Sequence, residues 1–462
     1  MSSQSTGFSG IHFRNSTVFQ RAIILPPKVS MSIMKGSLQI YSAIGKIQVK
    51  SRICFDQFRI VAVFIIFSFA AIVSGQQFNK DINTRVVFLG YTENNQSNSG
   101  ESSFRLEKIN SVKDYERKFG KKSHKTYLLY SSIRLFYENG GKEAYVLSIG
   151  KIDYQNPVFK KSDFINGLKK LSKFNYPTLL VAPETVRLKS FEAGSVHSEM
   201  MKKAAELGNC FAILDLVDGD QLVNSPSKPI FNFKRFSGSV NLDYAAAYYP
   251  WVVLSGHSES GFNMSNTTDE NAIPPGAGVA GAMVSADTKS GIWKAPANIA
   301  LKGILKPSVN LSETEISELN IDASTGKSIN PIVDFKNKGI LIWGARTLKG
   351  NDNEWKYISI RRLASQLEFE IKNELIKIKN QPNDKTTWTN IINLVEANLN
   401  QKWKAGALAG SKPEQAFYVR CGLGSTMTQQ DIADQKLIIE FGFSPARPAE
   451  FIVIRLTQQM SD

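Results

Sequence analysis

The sequence predicts an α/β body followed by a smaller α+β region, and three observations carry that expectation. Between residues 84 and 254, short apolar runs of strand length alternate with segments of helical period, the pattern of a layered α/β fold whose sheet is at least partly parallel. Beyond residue 357, two long amphipathic stretches come first and three strand-like runs follow, so helices and strands are segregated. The length, 462 residues, exceeds what one ordinary core holds. The chain therefore divides into a basic leader (1–83), an α/β part (84–338) and a C-terminal α+β part (339–462).

In order, residues 86–91 (VVFLGY) read as a short strand, and a polar Asn-, Ser- and Gly-rich loop covers 93–103. Helical spacing runs over 112–119. It is clearer over 127–139, where Leu128, Leu129, Ser132, Ile133 and Phe136 share a face and Gly140-Gly141 stops the helix. Strands at 144–149, 178–182 and 211–217 alternate with helices at 163–174 and 195–207. Residues 244–254 (YAAAYYPWVVL) close the unit as one strand, placed at an edge or bulge by Pro250. Residues 255–288 read as loop, first polar and then glycine-rich. Residues 292–300 return to packed character, and 305–338 are mostly irregular, with a short helix over 312–319.

The stretch 339–363 (GILIWGARTLKGNDNEWKYISIRRL) reads as a packing and connecting device without a catalytic motif. It enters the strongest helix of the chain, 358–379, where Ile360, Leu363, Leu367, Ile371, Leu375 and Ile378 recur at spacings of three and four. A second helix spans 387–405. Strands follow at 416–421, 436–442 and 449–456, with a capped helical turn at 428–433.

The formal charge is +15. Residues 1–85 carry ten Lys/Arg against two Asp/Glu, so more than half of the excess sits in the first fifth of the chain. The remainder is mixed in sign and lacks the basic footprint of a nucleic-acid binder. Three distant cysteines (Cys54, Cys210, Cys421) give no ligand spacing and no disulfide framework, which fits a reduced, cytoplasmic setting. Residues 60–74 (IVAVFIIFSFAAIVS) form an uncharged apolar run between basic flanks, shorter than the ~20 residues that span a bilayer comfortably. A membrane-inserting or signal segment, a buried element and a misjoined leader all remain open there.

Motifs that suggest chemistry fail on context. Gly276-Ala277-Gly278-Val279-Ala280-Gly281 is formally a dinucleotide fingerprint. Pro274-Pro275 and a polar loop precede it, however, rather than a strand, so small residues for close packing are expected. Ser255, His257 and Glu259 are neighbours in one loop, unlike a triad assembled from separate elements. The four histidines are dispersed, so no metal site is expected. Asp215, Asp218 and Asp220 follow a strand, where an α/β enzyme could place a metal or phosphate site; a solvated loop is the plainer reading. No catalytic, cofactor-binding or metal residues are therefore assigned, and the chain is expected not to be an enzyme.

Several separated stretches, in order, resemble the tail sheath proteins of contractile phage tails and contractile injection systems. Residues 86–93 (VVFLGYTE) look like the family's first strand. Residues 127–150 (YLLYSSIRLFYENGGKEAYVLSIG) are similar to its helix, NGG stop and next strand. Residues 274–298 (PPGAGVAGAMVSADTKSGIWKAPAN), 339–363 and 417–456 resemble further blocks, so the likeness covers about residues 84–462. The resemblance implies an outer α/β part and an inner C-terminal part of two helices and a small sheet. It implies a subunit that polymerises around an inner tube and drives it through a target envelope by contraction. The implied partners are further copies or sheath paralogues, the tube protein, and baseplate and terminal cap proteins, in a cytoplasmically assembled particle.

In such sheaths, extended arms from neighbours add strands to the inner domain's sheet. Here that implies a role for residues 449–456 and the tail 457–462. Assembly residues are expected at Trp343, Arg346, Trp355, Arg361 and Arg362 in the connecting stretch. Lys372 and Lys377 are expected on the charged helix face, and Phe451, Val453 and Arg455 on the last strand. The family's usual N-terminal arm motif does not occur before Thr84, although residues 37–49 have some strand character. The leader therefore leaves a second reading open: a sheath-derived adaptor or end-of-particle paralogue anchored at a membrane through residues 60–74.

Overall fold

Strand β1 (Arg85–Thr92) alternates its side chains between two cores, and the rest of the α/β part is layered on that alternation. Val86 and Phe88 face one core, Val87 and Leu89 the other. The computed structural model describes residues 84–95, 104–121, 126–172, 174–255, 272–322, 324–447 and 451–461. The leader with its apolar run at 60–74, the strand-like residues 37–49 and the cluster at 256–261 lie outside the described residues.

After β1 come β2 (Arg105–Ile109), α1 (Val112–Phe119), α2 (Leu129–Glu138), β3 (Ala144–Lys151), α3 (Lys161–Lys170) and β4 (Thr178–Val181). A short 3-10 turn (Pro183–Arg187) leads to α4 (Ser190–Leu207), β5 (Cys210–Asp215), α5 (Pro229–Phe236) and β6 (Ala245–Tyr249). Then follow β7 (Val252–Leu254), β8 (Ala272–Ile273), α6 (Gly276–Ser290), β9 (Ile299–Ala300), β10 (Ile304–Pro307), α7 (Glu313–Asn320), β11 (Ile329–Phe335) and β12 (Gly339–Ile342). Among the described residues, nine strands form one sheet in the order β2-β3-β1-β4-β5-β6-β11-β12-β9. Neighbours from β3 to β11 pair in parallel, while β2, β12 and β9 add antiparallel strands at the margins. Helices α2 and α6 cover the first core, and α3, α4 and α5 the second.

Three expectations are corrected here. Residues 244–254 are two strands in two sheets, because Pro250 lacks an N–H and interrupts the ladder after Tyr249. The first of them, β6, lies inside the large sheet between β5 and β11 rather than at its edge. The glycine-rich part of 255–288 is helix α6, which is buried on every side through Val284 and so shows no polar stripe in sequence. It lies against α2, where a Cβ on Gly281 would meet the Phe136 carbonyl oxygen at 2.2 Å. Within 305–338, β11 is a true strand despite its Asn330-Pro331 pair.

The C-terminal part contains α8 (Ile358–Lys377), α9 (Lys385–Lys404), the single turn α10 (Pro413–Ala416), β13 (Phe417–Cys421), α11 (Gln429–Ala433), β14 (Lys436–Phe443) and β15 (Ile452–Gln459). Its antiparallel sheet, β13-β14-β15, packs with α8 and α9 around a third core that begins at Ile360. Strand β12 was grouped with this part in the sequence, yet it hydrogen-bonds to β11 and β9 in the large sheet. The connection between the two parts therefore runs from Trp343 to Tyr357.

Candidate assembly surfaces and the junction behind them

In an open α/β sheet, ligands bind beyond the carboxyl ends of the strands where the strand order reverses. Here that point is β1, flanked by β3 and β4. Glu184, in the turn after β4, fills it with the chain's own carboxylate. Its Oε2 accepts from the Tyr91 N–H at 2.8 Å, and its Oε1 from Leu128 and Leu129 at 3.0 and 3.2 Å, at the N-terminus of α2. Burial pushes this carboxyl up to about 7, against three backbone N–H groups and Arg187, which favour the charged form.

Asp215, at the end of β5, accepts from the Gly276 N–H at 2.9 Å where α6 begins, and burial raises it to about 7 as well. The N-termini of α2 and α6 thus hold internal carboxylates. Asp218 and Asp220 stand half-buried on the following loop, and burial raises Asp218 further than its neighbour Asp220 does. Burial lowers His197 to about 4 and raises the Cys421 thiol to about 12. Among the described residues, no three His, Cys, Asp or Glu side chains group as metal ligands.

The connecting stretch is dense with backbone-directed bonds. The Arg346 N–H donates to Asn330 Oδ1 at 2.8 Å, and Asn330 Nδ2 donates to the Arg346 carbonyl at 2.8 Å and to the Ala247 carbonyl at 3.2 Å. Leu348 N–H reaches the Ala245 carbonyl at 2.7 Å. Arg346 also donates to the Gly350 carbonyl and lies 5.5 Å over the Tyr357 ring. Thr347 binds Lys356 through its backbone at 2.9 Å and Trp355 through its hydroxyl at 2.8 Å. The loop is stitched to β6 and β11 on one side and to the start of α8 on the other.

Arg361 and Arg362 open α8 and are both buried. Arg361 binds Glu368 at 2.6 Å, approaches Asp243 at 3.6 Å and lies 4.1 Å over Trp355 and 4.8 Å over Tyr244. Arg362 grips Asp287 with both terminal nitrogens, at 3.1 and 2.6 Å, and donates to Thr84 Oγ1 at 3.0 Å. Thr84 in turn donates to Asp287 at 2.6 Å. The entrance to β1, the end of α6 and the start of α8 meet in this buried node. Sequence reasoning named the two arginines but not their partners. Asp287 was visible only as the acidic residue of the 274–298 block, and Thr84 had no signal.

The remaining expected residues lie at the surface. Trp343 is 38% exposed and packs on Phe335 at 4.6 Å. Lys372 and Lys377 are exposed and pair along their own helix with Glu368 at 3.7 Å and Glu374 at 2.6 Å. On β15, Ile452, Ile454 and Leu456 enter the core, while Val453 and Arg455 face out. Phe451 and Val453 are each 50% exposed, and Phe451 stacks on Tyr418 at 6.2 Å. Arg455 donates to the Thr426 carbonyl at 2.6 Å.

The last strand runs further than the expected 449–456. Residues 457–459 continue β15 and pair with β14 as far as Gln459↔Lys436, and Met460 is buried with its N–H on the Gln435 carbonyl at 2.8 Å. The side of β15 away from β14 remains an open edge among the described residues. No helix among the described residues is long and apolar enough to cross a membrane.

This arrangement has solved counterparts. A chain of the anti-feeding prophage baseplate in its contracted state is 28% identical, with 84% of this chain and 96% of that chain covered and a TM-score of 0.65. A chain of the anti-feeding prophage helical sheath in its contracted state is 29% identical, covering 82% and 94%, with a TM-score of 0.61. A chain of the contracted sheath complex of PVC, an extracellular contractile injection system, is 29% identical, covering 82% and 92%, with a TM-score of 0.59. No curated protein matches the chain. Residues 161–348 match the phage tail sheath central domain and residues 350–459 the phage tail sheath C-terminal domain. Two adjoining domains of one kind, in the order that the fold displays them, place this chain in the phage tail sheath family.

Proposed function

We infer that this chain is the structural subunit of a contractile sheath, which polymerises with further copies around an inner tube and drives that tube through a target envelope when it contracts. The work comes from the difference between two packings of the same subunits, so no chemical step is needed. The observation that carries the reading is the pairing of an open strand edge with a braced interior. β15 offers unpaired backbone groups and, with Val453 on it and Phe451 just before it, two exposed apolar side chains, while Arg361 and Arg362 tie its domain to the α/β part.

Strand addition along such an edge supplies main-chain hydrogen bonds for strength and side-chain pockets for register. We assign Phe451, Val453 and Arg455 to that contact. Trp355, Arg346, Arg361 and Arg362 keep the subunit in one piece while its neighbours slide, and Trp343, Lys372 and Lys377 belong to its outer faces. Baseplate and terminal cap proteins would bound the assembly, which forms in the cytoplasm. The test is electron microscopy of the chain co-expressed with its tube protein. Helical tubes or ring stacks are expected, and monomers under every condition, with or without residues 1–83, overturn the reading.

A further inference from the structure

The tip of the β11–β12 hairpin runs past its neighbours in the sheet, since β9 pairs with β12 only at Leu341 and Ile342. The first half of β11 pairs with β6 at residues 329–331; the second half pairs only with β12. Its tip is a tight turn, with the Lys338 N–H on the Phe335 carbonyl at 2.9 Å and positive φ at Asn337 and Gly339. The turn raises Lys336 and Lys338 into solvent, and neither has an ion-pair partner among the described residues. Beside them lies the Phe335–Trp343 aromatic pair, with Trp343 exposed.

A complementary surface exists on the same chain. Residues 308–326 hold four acidic residues and no basic one. Asp322 is paired with Lys234, and Glu315 caps Ser312. Glu313 and Glu318 are left exposed without an ion-pair partner among the described residues, and Ile321, just past the helix end, is 54% exposed. Helix α7, which carries them, lies against the first half of β11, where the Ser328 hydroxyl donates to the Asn320 carbonyl at 2.6 Å and Leu319 shares a core with Ile329. The hairpin tip is some seven residues further along the strand, about 23 Å at ordinary strand rise. One chain's tip therefore stands away from its own α7.

We propose that the tip of the β11–β12 hairpin is a docking surface for a second copy of this chain, and that it takes the exposed Glu313 and Glu318 of α7, with Ile321 just beyond that helix, on that copy. Two different patches of one chain meeting in this way make a heterologous contact, the kind that builds rings or helical filaments rather than closed pairs. The aromatic pair and Ile321 supply apolar contact, and the opposed charges set register and reject misaligned neighbours. The proposal rests on the reading that the chain polymerises.

The test uses the full chain with its tube protein and three variants: Lys336→Glu with Lys338→Glu, Glu313→Lys with Glu318→Lys, and all four together. Each double reversal should lower the sedimentable, tube-forming fraction about tenfold by placing like charges in contact, and the fourfold variant should return to within about twofold of the parent. Thermal melting of unassembled protein should be unchanged in all three, because the four side chains are exposed. If the parent assembles and both reversals assemble equally well, or only one reversal has an effect, or the fourfold variant is not rescued, the contact is wrong while polymerisation stands. If the parent itself never assembles, polymerisation and the contact fail together.

Discussion

Arg362 is the side chain on which the two parts of the described chain meet. It is buried, as is the Asp287 carboxylate that it grips, and Thr84 completes the node. Removing one partner of a buried pair leaves the other charge desolvated, at a cost of about 3–5 kcal/mol. Arg362→Ala should therefore lower the unfolding free energy of the unassembled subunit by that amount in a denaturant titration. A loss below about 1 kcal/mol, the size expected of an exposed pair, would mean that the node carries no load.

Asp215 gives a second prediction at this scale. Its folded pKa of about 7 lies above the ordinary aspartate value of 3.8, so the folded state binds the extra proton. The resulting stabilisation is full below the ordinary value and is lost as pH rises through about 7. Glu184 contributes with the same sign, whereas His197, lowered to about 4, contributes stability that is lost as pH falls. Asp215→Asn keeps an acceptor for the Gly276 N–H and removes the titration. Its unfolding free energy should fall less between pH 4 and 8 than that of the parent; an unchanged slope would show that Asp215 stays charged throughout.

Among the elements, legibility followed pattern. Helix α8 was plain because Leu363, Leu367, Ile371 and Leu375 keep helical spacing against one core. Helix α6 was invisible because burial on all sides removes the polar face that marks a helix. Strand β11 was hidden by Asn330 and Pro331, although both pair with β6; the Asn330 side chain also reaches the Ala247 and Arg346 carbonyls. The last strand was expected to end at residue 456, yet it runs on to Gln459, paired with β14 throughout. In the same way, the arginines of the junction could be named from sequence but Thr84 could not, since their closeness spans 278 positions of chain. The open edge of β15 yields the prediction for this scale. Val453→Lys should leave the stability of the unassembled subunit within about 0.5 kcal/mol, because the side chain is exposed. The same change should reduce tube formation in a sedimentation assay. Full assembly would place the contact elsewhere.

For the molecule as a whole, the α/β part and the C-terminal part are linked by one connection braced on both sides. The Asn330–Arg346 bonds hold it to β11, and the Arg361 cluster and the Arg362 node lie just beyond it at the start of α8. Bracing of this kind is what a subunit needs to keep its internal shape while its contacts with neighbours change between two packings. The internal carboxylates at the helix N-termini fit the same picture, since they fill with structural bonds the places where an α/β enzyme would bind a ligand.

Cryo-electron microscopy of the assembled tubes, in more than one state of contraction, tests this most directly. Expected is a strand from another copy hydrogen-bonded along the open edge of β15, with the α/β and C-terminal parts in the same mutual arrangement in every state. A β15 edge left in solvent, or a junction that opens between states, would contradict it.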